Sequence, residues 1–181
     1  DLIVIGPEIP LANGLADFLR KKAFKVFGPG KDGAKLEYSK SLAKEFMRDA
    51  NIPTANFWKV SSLKEAKKII QSSTNPLVVK ADGLAAGKGV VVCKTKKQAF
   101  DTIDMMLSGG FGAASNTIIV EECISGAELS AFALIDSEEV IWLASARDHK
   151  RAFNGDEGPN TGGMGAAVSY THLTLPTIVD V

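Results

Sequence analysis

The sequence predicts a mixed α/β and α+β chain, with a parallel-sheet portion first and an antiparallel sheet with helices after it. Three observations predict this. Leu2 to Ile5 is a short apolar, β-branched run, Leu11 to Lys22 has helical spacing, and Lys25 to Phe27 is a second strand-like run. Together they make a βαβ unit, whose crossover requires parallel pairing. Beyond Pro53 the strand-like runs are joined by connections as short as Ser125-Gly126 and Ser137-Glu138, which suit antiparallel neighbours. Finally, 181 residues with 45% hydrophobic content suffice to bury roughly 70% of the unfolded surface, in one good core or two small ones.

The elements follow in order. The first strand ends at Gly6-Pro7, and the helix of Leu11, Leu15, Phe18 and Leu19 leads to the second strand and the turn Gly28-Pro29-Gly30. Leu36 to Asn51 reads as one amphipathic helix with Leu36, Ser39, Leu42, Ala43, Phe46 and Met47 on a single stripe, stopped by Ile52-Pro53-Thr54. Phe57 to Val60 is a strand. Ser61 to Glu65 resembles a helix start, and the helix continues to Gln71. Pro76 to Lys80 and Gly89 to Val92 are strands joined by a Gly-rich loop, with a helix from Lys96 to Leu107 after them. Thr117 to Glu122, Glu128 to Ile135 and Val140 to Ala146 complete the strands, and Arg151 to Gly165 is expected to be a polar, Gly-rich loop. A domain boundary falls near residue 53.

Charge and composition narrow the function classes. Lys plus Arg and Asp plus Glu are 21 each, which argues against a nucleic-acid-binding footprint and a polybasic membrane surface. No apolar run approaches the ~18 residues of a membrane span. Cys93 and Cys123 have no further Cys or His at ligand spacing, so neither a zinc site nor a disulfide framework is expected, and a reducing cytoplasm fits best. The chain enters a strand pattern at Asp1 without an initiating Met and is expected to be part of a longer protein.

The loop Asp82-Gly83-Leu84-Ala85-Ala86-Gly87-Lys88-Gly89 lies between two apolar strands. Its small residues leave backbone N–H groups free for an anion, and Lys88 adds a positive charge. It is not a Walker A loop, because the glycine spacing is shorter, no Ser or Thr follows Lys88, and a strand comes next. An ordinary Gly-rich hairpin is the alternative. Lys80 ends the apolar run Leu77-Val78-Val79, where a lysine either snorkels outward or meets a buried anion. Lys40, on the preceding helix, would by itself pass for a solvated surface lysine.

Glu121 and Glu122 end a buried strand, and by strand alternation at most one of them points into a cleft. Solvated strand-end acids are one reading. The other is an adenosine site, with the Glu122 to Ile124 backbone on the adenine edge and Glu128 on the ribose hydroxyls. Asp148-His149-Lys150-Arg151 and Gly158 to Gly165 form either solvated turns or the mouth of a site for a small anionic or amino-acid ligand. Gly6-Pro7-Glu8 lies beyond the C-terminal end of a strand, where open α/β sheets bind ligands, although a plain strand-to-helix turn has the same composition.

These segments together resemble the glycinamide ribonucleotide synthetase (phosphoribosylamine-glycine ligase) family of the ATP-grasp superfamily. The resemblance runs from Asp1 to about Ala166. It rests on Val4 to Glu8, Phe27-Gly28-Pro29, Leu36 to Lys40, Val78 to Val90, Glu121-Glu122, Gly126 to Ser130, Asp148 to Arg151 and Gly158 to Gly165. It implies the end of a Rossmann-like N-terminal domain over 1–36, a connecting helix over 37–53, the ATP-grasp small subdomain over 54–124 and the start of the large subdomain over 125–166. It also implies a ligase that joins glycine to 5-phosphoribosylamine through glycyl phosphate, using ATP and Mg2+ or Mn2+, in purine biosynthesis.

On this resemblance Lys40 and Lys80 hold ATP phosphates, and Gly83, Ala86, Gly87, Lys88 and Gly89 cover them. Glu121, Glu122, Cys123 and Ile124 line the adenine pocket, and Glu128 meets the ribose. Gly6, Pro7, Glu8, Asp148, His149, Lys150, Arg151, Asn160, Thr161, Gly162 and Gly163 face glycine and phosphoribosylamine, with Lys80, Arg151 and Asn160 as the catalytic set. The metal ligands of the family are expected C-terminal to this chain, so the isolated chain is expected to bind ATP weakly without ligating. Residues 167–181, including His172, depart from the family pattern and read as a non-native tail. Other ATP-grasp ligases share the lysine pair but lack the Asp148 to Arg151 and Pro159 to Gly165 motifs. A non-catalytic nucleotide-binding module is the remaining alternative.

Overall fold

The computed structural model describes residues 1–73, 76–84, 89–110, 112, 116–126, 128–155 and 157–168, without the side chains of 159, 160, 162 and 168. The chain divides into two compact units, Asp1–Ile124 and Ser125–Val181, and each is described by itself.

The first unit opens with β1 (Leu2–Val4), which pairs in parallel with β2 (Lys25–Phe27) from Leu2 opposite Lys25 to Val4 opposite Phe27. The crossover expected as one helix is two, α1 (Glu8–Ala12) and α2 (Leu15–Lys21), with Gly14 in the left-handed region at φ 84° between them. Only glycine takes that conformation without steric cost, and the apolar spacing of Leu11 and Leu15 runs straight across the break. Ile5, Leu11, Ala16 and Ala34 form a small core here, with Ile3, Leu19, Val26 and Tyr38 packed on it.

The helix expected over Leu36 to Asn51 is also two helices, α3 (Lys31–Tyr38) and α4 (Lys40–Asp49). Ser39 separates them in an extended conformation (φ −117°, ψ 99°), and its Oγ accepts the Leu42 N–H at 3.3 Å. A serine that caps the next turn competes with helix continuation, which periodicity alone does not register. The expected apolar stripe is not the buried one. Leu42 and Phe46 are exposed, whereas Ser41 and Lys44 are buried.

The remainder of this unit contains, in chain order, β3 (Phe57–Val60), α5 (Leu63–Ser72), β4 (Leu77–Ala81), β5 (Val90–Cys93), α6 (Lys96–Met105) and β6 (Ile118–Glu122). The strands form one antiparallel sheet in the order β3-β6-β4-β5. Val60, Leu77, Val79, Ala81, Cys93, Ile118 and Val120 share the face covered by Ala66 and Ile70 of α5 and by Ala99 and Ile103 of α6. Strand alternation sends Phe57, Val78, Lys80, Ile119 and Glu121 to the opposite face. There they meet the polar stripe of α4, because Lys44 reaches Glu121 and Glu45 reaches Lys59.

Caps set the helix starts. Ser62 Oγ accepts the Glu65 N–H at 3.3 Å, and Glu65 Oε2 accepts the Ser61 N–H at 3.0 Å. Thr95 caps α6 through the Gln98 N–H at 3.1 Å. A wide turn over Met106–Gly110 follows α6, with Gly109 at φ 94°.

In the second unit β7 (Ala133–Ile135) and β8 (Val140–Trp142) form a hairpin, as do β9 (Ala146–Phe153) and β10 (Glu157–Val168). The strands expected over Glu128 to Ile135 and Val140 to Ala146 are therefore shorter, although Ser130 and Ala146 still bridge through two backbone bonds of 2.8 and 3.0 Å. The expected loop Arg151 to Gly165 is largely strand, paired with β9 through shifts in register around Asn160. Its glycines hide any alternation in the sequence. They also permit the bulges: Gly158 stands at φ 83°, where a Cβ would lie 2.5 Å from the Phe153 ring.

Candidate functional site

In the first unit the geometry centres on Glu121. Its carboxylate is buried, and Lys80 Nζ lies 3.0 Å from both of its oxygens, with a directed hydrogen bond to Oε2 alone. Lys44 Nζ lies 3.1 Å from the same Oε2. Lys80 and Glu121 are diagonal neighbours on adjacent strands, since Lys80 pairs with Ile119 and Val78 with Glu121. The lysine at the end of an apolar run has thus met a buried anion, one supplied by the protein itself.

Lys44 also donates to Thr54 Oγ1 at 2.6 Å and to the Ala55 carbonyl at 3.5 Å, and it lies 6.0 Å from the Phe57 ring centroid. This residue was not singled out from the sequence. The signal was available: Lys40 and Lys44 are one helical turn apart, and Ser41 lies between them on the same stripe.

Lys40 sits at the root of the Gly-rich loop. Its Nζ donates to the carbonyls of Gly83 at 3.1 Å and Asp82 at 3.4 Å. Partial burial holds its pKa below the ordinary lysine value, against the pull of Asp82, and the positive charge of Lys80 pushes the same way as burial. Asp82 is fastened to the first turn of α4, its two oxygens accepting from the Ser41 N–H at 2.6 Å and the Ser41 hydroxyl at 2.8 Å. The first N–H groups of a helix lack partners within it and stand at the positive end of its dipole, which suits a carboxylate. On the far side of the loop, the Ala81 N–H donates to the Gly89 carbonyl at 2.8 Å. Ala86, Gly87 and Lys88, assigned to the loop, lie outside the described residues, as do residues 169–181 of the tail.

At the end of β6 the two glutamates part company, as alternation requires. Glu122 accepts from Asn56 Nδ2 at 2.9 Å on the side away from the lysines. The Glu122 N–H donates to the Asn56 carbonyl at 3.0 Å and the Cys123 N–H to the Pro76 carbonyl at 3.1 Å. Both donors are committed, which leaves the Ile124 N–H as the open donor of this hinge among the described residues. Gly6, Pro7 and Glu8 lie on the surface where β1 gives way to α1, with Pro7 as its N-cap.

In the second unit, alternation along β9 divides the Asp148 to Arg151 motif. Asp148 and Lys150 lie on one face, with Lys150 Nζ 3.5 Å from Asp148 and 3.6 Å from Glu128. Arg147, His149 and Arg151 line a hollow of about 280 Å3 on the other, closed by Phe153 and Met164. Arg151 Nη1 donates to the Gly158 carbonyl at 2.8 Å, and Thr161 Oγ1 donates to the Lys150 carbonyl at 3.0 Å and accepts the Gly163 N–H at 3.0 Å. Sequence reasoning passed over Arg147, which two-residue periodicity places beside His149. The backbone of Asn160 pairs opposite Arg151. A larger groove of about 830 Å3, bordered by Arg48, Thr54, Trp58 and Lys68, contains no residue expected from the sequence.

Among the described residues no three His, Cys, Asp or Glu side chains gather into a metal-binding group, and no helix is long and apolar enough to cross a membrane.

Residues 1–37 match the family "Phosphoribosylglycinamide synthetase, N domain", and residues 38–180 match "Phosphoribosylglycinamide synthetase, ATP-grasp (A) domain". A phosphoribosylamine-glycine ligase of Nostoc sp. is 50% identical over 165 residues, covering 91% of this chain and 39% of the relative. A chloroplastic one of Arabidopsis thaliana is 51% identical over 166 residues, covering 91% of this chain and 31% of the relative. The crystal structure of the Thermotoga maritima phosphoribosylamine-glycine ligase superposes with a TM-score of 0.78 at 37% identity, covering 92% of this chain and 41% of that one. A Campylobacter jejuni biotin carboxylase superposes with a TM-score of 0.67 at 22% identity over 83% of this chain and 35% of that one, a likeness of fold alone. The chain spans about two fifths of the length of the bacterial relatives it matches. With both family models matching in sequence order from residue 1 to residue 180, the chain belongs to the phosphoribosylglycinamide synthetase family and has the mixed α/β, ATP-grasp fold.

Proposed function

We propose that the protein acts as an ATP-dependent carbon-nitrogen ligase that joins glycine to 5-phosphoribosylamine through glycyl phosphate. The observation that carries this reading is the gathering of Lys40, Lys80 and Glu121 at the root of the Gly-rich loop, in a chain of this family. Transfer of a phosphoryl group to the glycine carboxylate brings anions together, so the work of the site is charge neutralisation and in-line positioning. Lys40 and Lys80 supply positive charge for the phosphates, and Gly83 to Gly89 supply backbone amides over them. The Ile124 N–H offers a donor to the adenine edge, flanked by Glu121, Glu122 and Cys123, and Glu128 accepts from the ribose.

For the other substrates, Gly6 to Glu8, Asp148 to Arg151 and Asn160 to Gly163 are the proposed contacts, with Lys80, Arg151 and Asn160 as the proposed catalytic residues. The amine of phosphoribosylamine attacks the acyl phosphate directly, so no side chain has to serve as a covalent nucleophile. The family implies a divalent ion, Mg2+ or Mn2+. The described residues do not assemble a ligand set for it. We place the reaction in the cytoplasm, which the two free cysteines support.

We further propose that residues 1–36, 37–53, 54–124 and 125–166 correspond to the end of the N-terminal domain, its connecting helix, the small subdomain and the start of the large one. The match boundary at 37/38 and the division at 124/125 support this.

The test is ADP formation by the protein carrying this chain, dependent on both glycine and phosphoribosylamine, and its loss in Lys80→Met. ADP formation that persists at the wild-type rate in Lys80→Met overturns the assignment. The 181-residue chain alone is expected to bind ATP without ligation, and glycine-dependent ADP release from it overturns that expectation.

A further inference from the structure

We infer that Lys44 is a positioning residue for Lys80: it holds the Glu121 carboxylate, so that Lys80 is free to turn to the phosphates of a nucleotide. The inference rests on the nucleotide reading above, and the donors of the two lysines carry it.

An ammonium has three N–H donors. Those of Lys44 have three acceptors around them, Glu121 Oε2 at 3.1 Å, Thr54 Oγ1 at 2.6 Å and the Ala55 carbonyl at 3.5 Å. Its side chain is 10% exposed. Lys80 is 26% exposed, and its partner among the described residues is Glu121 alone, which leaves donors to spare. One lysine is therefore enclosed and anchored by protein acceptors on several sides, while the other, bound to the same carboxylate alone, reaches its solvent edge.

If Lys80 were the only counter-ion of Glu121, giving it up to a phosphate would leave a carboxylate buried and unpaired, a heavy penalty set against binding. With Lys44 in place Glu121 stays neutralised whichever way Lys80 points, and Lys80 becomes the surplus positive charge of the trio. A purely structural ion pair would need Lys44 and Glu121 but no third member that reaches solvent.

The experiment measures ATP and adenosine binding by calorimetry on the full chain for wild type, Lys44→Met, Lys80→Met and the double variant. Lys44→Met is expected to weaken ATP roughly tenfold or more, the size of a lost charge-assisted hydrogen bond, and to leave adenosine within about twofold. In the Lys80→Met background it is expected to add nothing, because the residue it positions is gone. Equal weakening of ATP and adenosine, or a loss additive with that of Lys80→Met, overturns the inference and makes Lys44 a structural residue only. If Lys44→Met does not fold, Thr54→Val loosens Lys44 by one acceptor and carries the test, with a smaller ATP-specific loss expected and an unchanged ratio of ATP to adenosine affinity refuting it. A wild-type chain that binds neither ligand overturns the nucleotide reading itself and the inference with it. That outcome is distinct from ATP binding that survives Lys44→Met unchanged.

Discussion

Replacing Glu121 by leucine tests whether the buried carboxylate is needed for the fold through the charge it neutralises. Leucine fills a similar volume at a position whose cross-strand partners, Phe57 and Val78, are both apolar, so packing changes little. What changes is Lys44, whose side chain is 10% exposed and would be left, among the described residues, with Thr54 Oγ1 and the Ala55 carbonyl as acceptors. An uncompensated buried charge of this kind costs about 3–5 kcal/mol. Lys80, at 26% exposure, can turn its ammonium to water and adds little to that penalty. Glu121→Leu is therefore expected to lose about 3–5 kcal/mol of unfolding free energy, and Glu121→Leu with Lys44→Met to regain most of it, because an apolar pair of similar volume replaces an ion pair nearly neutrally. Urea unfolding followed by circular dichroism measures both, with an unchanged slope showing that the same cooperative unit unfolds. A single variant within about 1 kcal/mol of wild type, or a double variant as unstable as the single one, would show that Glu121 does not neutralise a buried Lys44.

Three further outcomes follow from the same geometry. Because the pKa of Lys40 is lowered chiefly by burial, the folded chain binds fewer protons than the unfolded one between that lowered value and the ordinary 10.5. Stability should then rise with pH through that window, and Lys40→Met should flatten this slope in unfolding measured across it. Burial raises the pKa of the Cys93 thiol, only partly offset by its contact with Thr102, while Cys123 is half-exposed. Iodoacetamide should label Cys123 well before Cys93, as read by mass spectrometry, and ATP should slow that labelling if the hinge lies on the adenine. Ser62→Ala removes the cap of α5 and should lower stability by about 1 kcal/mol in the same urea assay, whereas no loss would mean that Glu65 alone secures the helix start.

The strands were the most legible part of the sequence. Phe57 to Val60 and Lys25 to Phe27 appear at the residues expected, because β-branched and aromatic runs bounded by turn residues leave few alternatives. Helix continuity was harder to read. Gly14 and Ser39 each interrupt a spacing that looks unbroken, since periodicity counts side chains and overlooks what the backbone does between them. The β9–β10 hairpin was missed for a related reason: glycines carry no side chain to alternate. In the site, Lys80 announced itself as a charge in an apolar strand. Lys44 did not, because a helical lysine among other charges looks solvated until the sheet behind it is known. The burial of the charged stripe of α4, with Leu42 and Phe46 outward, inverts the usual rule and was invisible to it.

The pairing of β4 with β6 carries a consequence for how this stretch of chain tolerates insertions and deletions. Lys80 faces Glu121 only because Leu77, Val79 and Ala81 point the other way, into the helices. Deleting one residue between Leu77 and Lys80 shifts the strand by a single step and turns every side chain over. It would push the lysine in among Val60 and Ile103 while turning Val79 out of the core, so core and charge cluster would fail together. One residue added in the turn between β3 and α5 shifts no strand pairing. The length of β4 is thus as strictly fixed as its chemistry, and a deletion scan should find intolerance confined to the paired strands and tolerance at the turns beside them.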